Sequence, residues 1–146
     1  MKLTLVAVGK IKDRPMRAVM DDYASRIARY VRFEEIELKD APAAELVSRF
    51  DKHLAKPSRT VALEVDGSRW SSEQLAERVG ACEVGSVPRL TFLIGGSYGL
   101  PEEVSRAADE RFSLGAITLP HRLARVVLAE QIYRAYTILR SEPYSH

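Results

Sequence analysis

Thr118–Arg140 reads TLPHRLARVVLAEQIYRAYTILR, and the rest of the chain is organised around it. The stretch predicts one long helix. Pro120 suits the first helical turn, where its missing N–H costs nothing. No glycine or proline follows until Pro143. At about 100° per residue, Leu123, Val126, Val127, Leu128, Ile132, Ala135, Ile138 and Leu139 spread most of the way round the helix. A helix that is apolar all round is covered on several sides. Yet His121, Arg122, Arg125, Glu130, Gln131 and Arg134 lie within it, and charged groups on a mostly buried helix should be paired or used. Glu130 and Arg134, four apart, share a face and can pair. That pair is either a plain ion pair placing the helix or part of a site, and these residues alone leave both open.

Size and composition bound the rest. With 146 residues, 46% hydrophobic and 29% charged, the chain predicts one soluble domain over 1–146 that buries its core without disulfides. Cys82 is single, which excludes an intrachain disulfide and a CxxC metal site and fits a reducing compartment; it reads as a small apolar residue. The N-terminal MKLTLVAVGKIKD has neither a signal-peptide core nor a membrane-length run, so a cytoplasmic protein without membrane attachment is expected. A net charge of +2 does not announce nucleic acid. Arg122, Arg125, Arg134 and Arg140 cluster late, and Lys10, Lys12, Arg14 and Arg17 early. A solvated face is the simpler account of either group.

Outward from the C-terminal helix, short apolar runs alternate with helical periodicity. Leu3–Val8, Phe33–Leu38, Thr60–Val65 and Arg89–Ile94 read as strands, and Ala116–Leu119 as a short fifth. Between them, Met16–Val31, Ala43–Leu54, a segment opening at Ser71-Ser72 and one opening at Leu100-Pro101 read as helices. Asp66-Gly67 marks a turn after the third strand, and Gly80–Pro88 a loop. The alternation predicts an α/β fold with a mostly parallel sheet flanked by helices.

Ligands of such sheets bind beyond the carboxyl ends of the strands. GGSYG (Gly95–Gly99) follows the fourth strand at once. Its glycines let a ligand approach the backbone and permit positive φ, although a tight strand-to-helix turn explains it as well. It is not GxGxxG, and no Gly-Lys-Ser/Thr follows, so neither a dinucleotide fingerprint nor a P-loop is present. No GxSxG elbow occurs. His53, His121 and His146 lack metal-ligand spacing, so no metal is expected.

VGK at Val8–Lys10, LEVDG at Leu63–Gly67, FLIGGSYGL at Phe92–Leu100 and the C-terminal helix with Pro143-Tyr144 occur in order along the whole chain. Together they resemble the RlmH family, small SPOUT-class methyltransferases of bacterial 23S ribosomal RNA. The resemblance implies an α/β knot, in which the C-terminal segment threads a trefoil that holds S-adenosylmethionine. It implies N3-methylation of a pseudouridine in the helix 69 loop of 23S rRNA, on the assembled 70S ribosome, by a homodimer. Position by position, it implies cofactor contacts from Leu63, Gly95, Leu114, Gly115, Ala116, Ile117, Thr118 and Leu119. His121 would orient the base or accept its imide proton, with a helix-end structural role as the alternative. Arg122 and Arg125 would meet RNA, as would Arg134, at its phosphates or the base. Tyr144 would stack on or hydrogen-bond the base, across the dimer. The family ends in PYH, whereas this chain ends in Pro143-Tyr144-Ser145-His146.

Other readings stay open at this stage. They are a SPOUT enzyme acting on tRNA, disfavoured by the lack of an added RNA-binding domain, and a non-enzymatic RNA-binding module on the same scaffold. A small oxidoreductase is disfavoured by the missing fingerprint.

Overall fold

Leu3, Leu5 and Ala7 face one side of the first strand and Val6 and Val8 the other, and all five are buried. This two-sided burial is what a central strand of a parallel sheet requires. The computed structural model describes residues 1–144; Ser145 and His146 lie outside the described residues. The elements are β1 (Lys2–Val8), α1 (Arg14–Ile27), β2 (Arg32–Leu38), α2 (Ala43–Asp51), β3 (Arg59–Ser68), α3 (Ser72–Val84), β4 (Arg89–Ile94), α4 (Glu102–Ala107), β5 (Glu110–Phe112) and α5 (His121–Leu139). The sheet is parallel throughout, in the order β2-β1-β4-β3-β5.

Two helices, α1 and α3, carry the chain towards the β2 edge, and they share a face with α5. The other two, α2 and α4, carry it towards the β5 edge and cover the opposite face. A single hand of crossover accounts for this sorting. With the four connections sorted in this way, all the strands end on the same edge of the sheet.

The long helix lies between α1 and α3 on the sheet. This explains its apolar circumference. Leu128, Ala129, Ile132, Ala135 and Tyr136 are fully buried within one chain. The helix begins at His121, with Pro120 as its N-cap, and ends at Leu139.

The structure moves several sequence-derived boundaries. The first helix stops at Ile27 and the second at Asp51. The third helix runs straight through Gly80, which had marked a loop. A β-carbon there would sit 2.9 Å from the Leu139 side chain, so the glycine makes room for α5 against α3. Asp66-Gly67 does not end the third strand; the chain bulges out after Leu63 and rejoins β5 at Ser68.

The fifth strand is Glu110–Phe112, not Ala116–Leu119. Its side chains decide this. Glu110 pairs with Arg59 at 2.8 Å and Arg78 at 2.9 Å, and Phe112 stacks on Trp70 with ring centroids 4.6 Å apart. Asp109 accepts from the backbone and hydroxyl of Thr60. By contrast, Ala116, Ile117 and Thr118 are exposed.

Arg125 ties the layers together. Its guanidinium is fully buried. It donates to Glu35 at 2.8 Å, to Glu37 at 2.6 Å and to the Gly9 carbonyl at 2.8 Å. Arg17 of α1 joins both carboxylates from the other side. Burial works against ionisation of Glu37, but the Ile11 N–H, Arg125 and Arg17 outweigh it and hold its pKa below the usual carboxylate value. Such a group stabilises the fold above the carboxylate's unfolded pKa, and the contribution disappears as pH falls through the lower folded value. Removing one partner from a buried network leaves an uncompensated charge. Arg125→Ala is therefore expected to lose about 3–5 kcal/mol of stability at neutral pH, with the deficit narrowing in acid. Urea unfolding at pH 7 and pH 4 checks this; an unchanged midpoint at pH 7 would refute it.

Candidate functional site

A cleft of about 570 Å³ opens at the carboxyl edge of the sheet, within the size range of small-molecule sites. Three stretches far apart in sequence build it. They are Leu63–Val65 at the bulge of β3, Ile94–Leu100 after β4, and Leu114–Pro120 leading into His121 and Ala124 of α5.

The second stretch is a turn folded on itself. The Gly99 N–H donates to the Gly96 carbonyl at 3.0 Å. Positive φ falls on Gly99 and not on Gly95 or Gly96. Gly95 is required for another reason: a β-carbon there would lie 2.3 Å from the Gly99 carbonyl carbon. Tyr98, at the tip, is 98% exposed. The third stretch crosses the ends of the central strands. Ser113, buried, starts it: its hydroxyl donates to Val65 O at 2.8 Å and accepts from the Gly115 N–H at 3.1 Å.

Of the residues expected from sequence to meet the cofactor, Leu63, Gly95, Leu114, Gly115, Ile117, Thr118 and Leu119 all line this cleft. Ala116 is exposed on the same loop and does not line it. His121 is half-buried at the mouth, with its imidazole over Gly9: a β-carbon on Gly9 would sit 3.7 Å from Nε2. Burial first, then Arg122 and Arg125, push its pKa below the usual histidine value, against Asp40. Its surroundings therefore favour the neutral imidazole, whose unprotonated nitrogen can accept a proton.

Other expectations change. Arg125 cannot meet RNA as a phosphate ligand, because its guanidinium is buried against Glu35, Glu37 and Gly9. Arg134 and Tyr144 do not join His121 within one chain. Arg134 stands thirteen residues further along α5, roughly 20 Å at the helical rise. There Glu130 accepts from Arg134 at 2.9 Å and from the Tyr144 hydroxyl at 2.8 Å, and the guanidinium lies 5.0 Å from the Tyr144 ring centroid. Burial and then Glu130 raise the Tyr144 pKa, so its phenol is a hydrogen-bond donor and not a base. The predicted Glu130–Arg134 pair thus forms. Arg122 is half-buried, its Nε held by Lys10 O at 2.6 Å.

The sequence did not single out Glu64 as a cleft residue. Its pKa is raised, by burial first and then by Asp66. An acidic residue set between the apolar Leu63 and Val65 was the available signal.

A sequence-family model described as Predicted SPOUT methyltransferase matches residues 1–146. The chain is 50% identical, over the full length of both chains, to ribosomal RNA large subunit methyltransferase H of Sorangium cellulosum (strain So ce56). It is 40% identical, again over both full lengths, to the protein of the same name from Geobacter sulfurreducens. The chain belongs to the RlmH family of SPOUT methyltransferases. The fold is shared with a probable methylase family protein from Haemophilus influenzae Rd KW20, at 12% identity and a TM-score of 0.59, covering 99% of this chain and 70% of that one.

SPOUT methyltransferases use S-adenosylmethionine, and the cleft fits it. Apolar walls from Leu63, Ile94, Leu100 and Leu119 suit its adenine and methionine chain. No lysine or arginine is among the cleft's lining residues, and Glu64 is its one carboxylate. A cation is at home there. Among the described residues no cluster of His, Cys, Asp or Glu could hold a metal, and no helix is long and apolar enough to cross a membrane.

Gly95→Ala forces a carbon into the Gly96–Gly99 turn, whose backbone cannot give by the required distance. The variant is expected to melt within a few degrees of the parent but to lose at least about tenfold in S-adenosylmethionine affinity, about 1.4 kcal/mol. Calorimetric titration measures this, and parental affinity would contradict the role given to the turn.

Proposed function

We propose that this chain methylates N3 of a pseudouridine in the helix 69 loop of 23S rRNA, on the assembled 70S ribosome, in the cytoplasm. The observation that carries the methyl-transfer reading is the cation-free cleft with neutral His121 at its mouth. The names of the full-length relatives support ribosomal RNA as the substrate; the position, the base and the ribosomal context follow from the motif resemblance.

Leu63, Gly95, Leu114, Gly115 and Ile117–Leu119 hold the cofactor. When bound, S-adenosylmethionine supplies an electrophilic methyl group on a sulfonium. The chain's part is placement and one proton. The acceptor nitrogen of the base must lose its imide proton before it can displace the methyl group, and His121 Nε2 receives it. The walls of the cleft keep water from the reacting atoms.

The working unit is a homodimer. Arg134 and Tyr144, too far along α5 to serve their own chain's cleft, reach the partner's. Arg134 contacts the target nucleotide, and the Tyr144 ring stacks on the base. His146, which the sequence offers in place of the family's terminal histidine, lies outside the described residues. The C-terminal segment is threaded as a trefoil. The path from the β5 edge across the strand ends to α5, packed against α1, supports this.

Methyl transfer from labelled cofactor should be fast to 70S ribosomes lacking the modification, and at least about tenfold slower to isolated 50S subunits and naked 23S rRNA. Equal rates on naked rRNA would remove the ribosomal requirement. Transfer to tRNA instead would favour the alternative SPOUT reading.

His121→Ala and Tyr144→Ala should each cut turnover on the order of 100-fold, with cofactor affinity nearly intact. His121→Ala should also abolish the acid limb of the pH–rate profile, which in the parent is displaced below the ordinary histidine range because neutral His121 is the competent form. Mixing the two inactive chains in equal amounts should restore about a quarter of parental activity, since half the dimers then carry one intact composite site. No recovery on mixing would place both residues in one chain's site.

A further inference from the structure

Most arginines of this chain are neutralised where they stand. Arg17, Arg26, Arg49, Arg59, Arg78, Arg106, Arg125, Arg134 and Arg140 each have a carboxylate within ion-pair distance. Lys10, Lys12, Arg14 and Arg122 form no ion pair among the described residues, and they sit together. Lys10 and Lys12 are exposed on the loop between β1 and α1, and Arg14 is exposed at the first residue of α1. Arg122 reaches that loop from the first turn of α5.

This loop is held in place at three successive residues. The Gly9 carbonyl accepts from Arg125 at 2.8 Å, the Lys10 carbonyl accepts from Arg122 at 2.6 Å, and the Ile11 N–H donates to Glu37 at 2.9 Å. Ile11 is buried beneath it. The acidic neighbours do not cancel the cations. Asp13 accepts from the Met16 N–H and Asp40 from the Ala41 N–H, and neither is within ion-pair distance of these cations. The backbone is therefore rigid, while the lysine and arginine heads face solvent beside His121.

We infer that the β1–α1 loop, with Arg122, is the phosphate track of the RNA substrate, so that the strand runs over Lys10, Lys12 and Arg14 and delivers its target base past His121 into the cleft. This rests on the proposed function and names the RNA surface for it. The division of charge supports it. The cleft, lined by no lysine or arginine, takes a cationic cofactor, and the adjoining loop, rich in unpaired cations, takes a polyanion. A fixed loop also serves a polyanion better than a mobile one, because less ordering entropy opposes binding. Phosphate contacts of this kind set position and not sequence preference.

The test is the triple variant Lys10→Gln, Lys12→Gln, Arg14→Gln, with Arg32→Gln, Arg89→Gln as the control. Arg32 and Arg89 are exposed cations at the opposite edge of the sheet. The probes are 23S rRNA for binding at several salt concentrations and unmodified 70S ribosomes for methyl transfer. The triple variant should keep its melting temperature and its S-adenosylmethionine affinity. Its KM for ribosomes should rise at least about tenfold, and the slope of log K against log salt should shrink by about one per cation removed. The control should match the parent. A triple variant with parental KM and salt slope, in a chain that does methylate ribosomes, would overturn the track and leave the proposed function standing. If the parent transfers no methyl group to any rRNA, the proposed function fails, and the salt slope of 23S rRNA binding still decides the track.

Discussion

Everything near the site depends on one buried guanidinium. Arg125 reaches from α5 to two carboxylates of β2 and to the end of β1. It thereby fixes the first turn of α5 against the loop that follows β1. His121 stands one turn before it on the same helix. Charges taken from water rarely add net stability against a well-packed apolar alternative. What this network provides is placement: it sets the height of His121 over Gly9 and leaves the loop's cations outside. Arg17, joining the same carboxylates from α1, extends the constraint across the whole helical layer.

The same edge of the sheet therefore serves two ligands of opposite charge without mixing them. Over β3, β4 and β5 the lining is apolar with one carboxylate. Over β1 and the start of α5 it is cationic, and the lowered pKa of His121 reflects those neighbours as well as its burial. Burial does most to favour the neutral histidine on that border, followed by Arg122 and the buried Arg125. Of these cations only Arg122 belongs to the surface proposed to hold the RNA.

Much of this was legible in the sequence, and the failures have identifiable causes. Two-sided apolar strands and 3.6-residue periodicity located four strands and five helices, and the motifs along the whole chain identified the family. Local pattern could not place the fifth strand, because Glu110, Arg111 and Phe112 are strand-like only through Arg59, Arg78 and Trp70, all distant in sequence. Gly80 was misjudged because its role is to admit Leu139 from another helix. Arg125 was misjudged for a related reason: its carboxylate partners lie some ninety residues upstream, and nothing next to it on α5 announces them. Cofactor-loop residues were easier, since Gly95 and the Leu114–Leu119 stretch carry the family's pattern within a few contiguous positions. A residue such as Glu64, defined by the cavity it faces, carries no such local mark.

The loop from Ser113 to Pro120 connects the β5 edge to the helix laid between α1 and α3. The cleft closes only when this crossing is made, and the crossing follows all five strands along the chain. Until then, the sheet face that α5 covers is open to solvent, and the polypeptide has no cofactor site. Contacts between such remote segments form slowly and leave apolar surface exposed meanwhile. A truncated or arrested chain would therefore be recognisable to quality control by that uncovered face, and a chain able to take up its cofactor has already completed its fold.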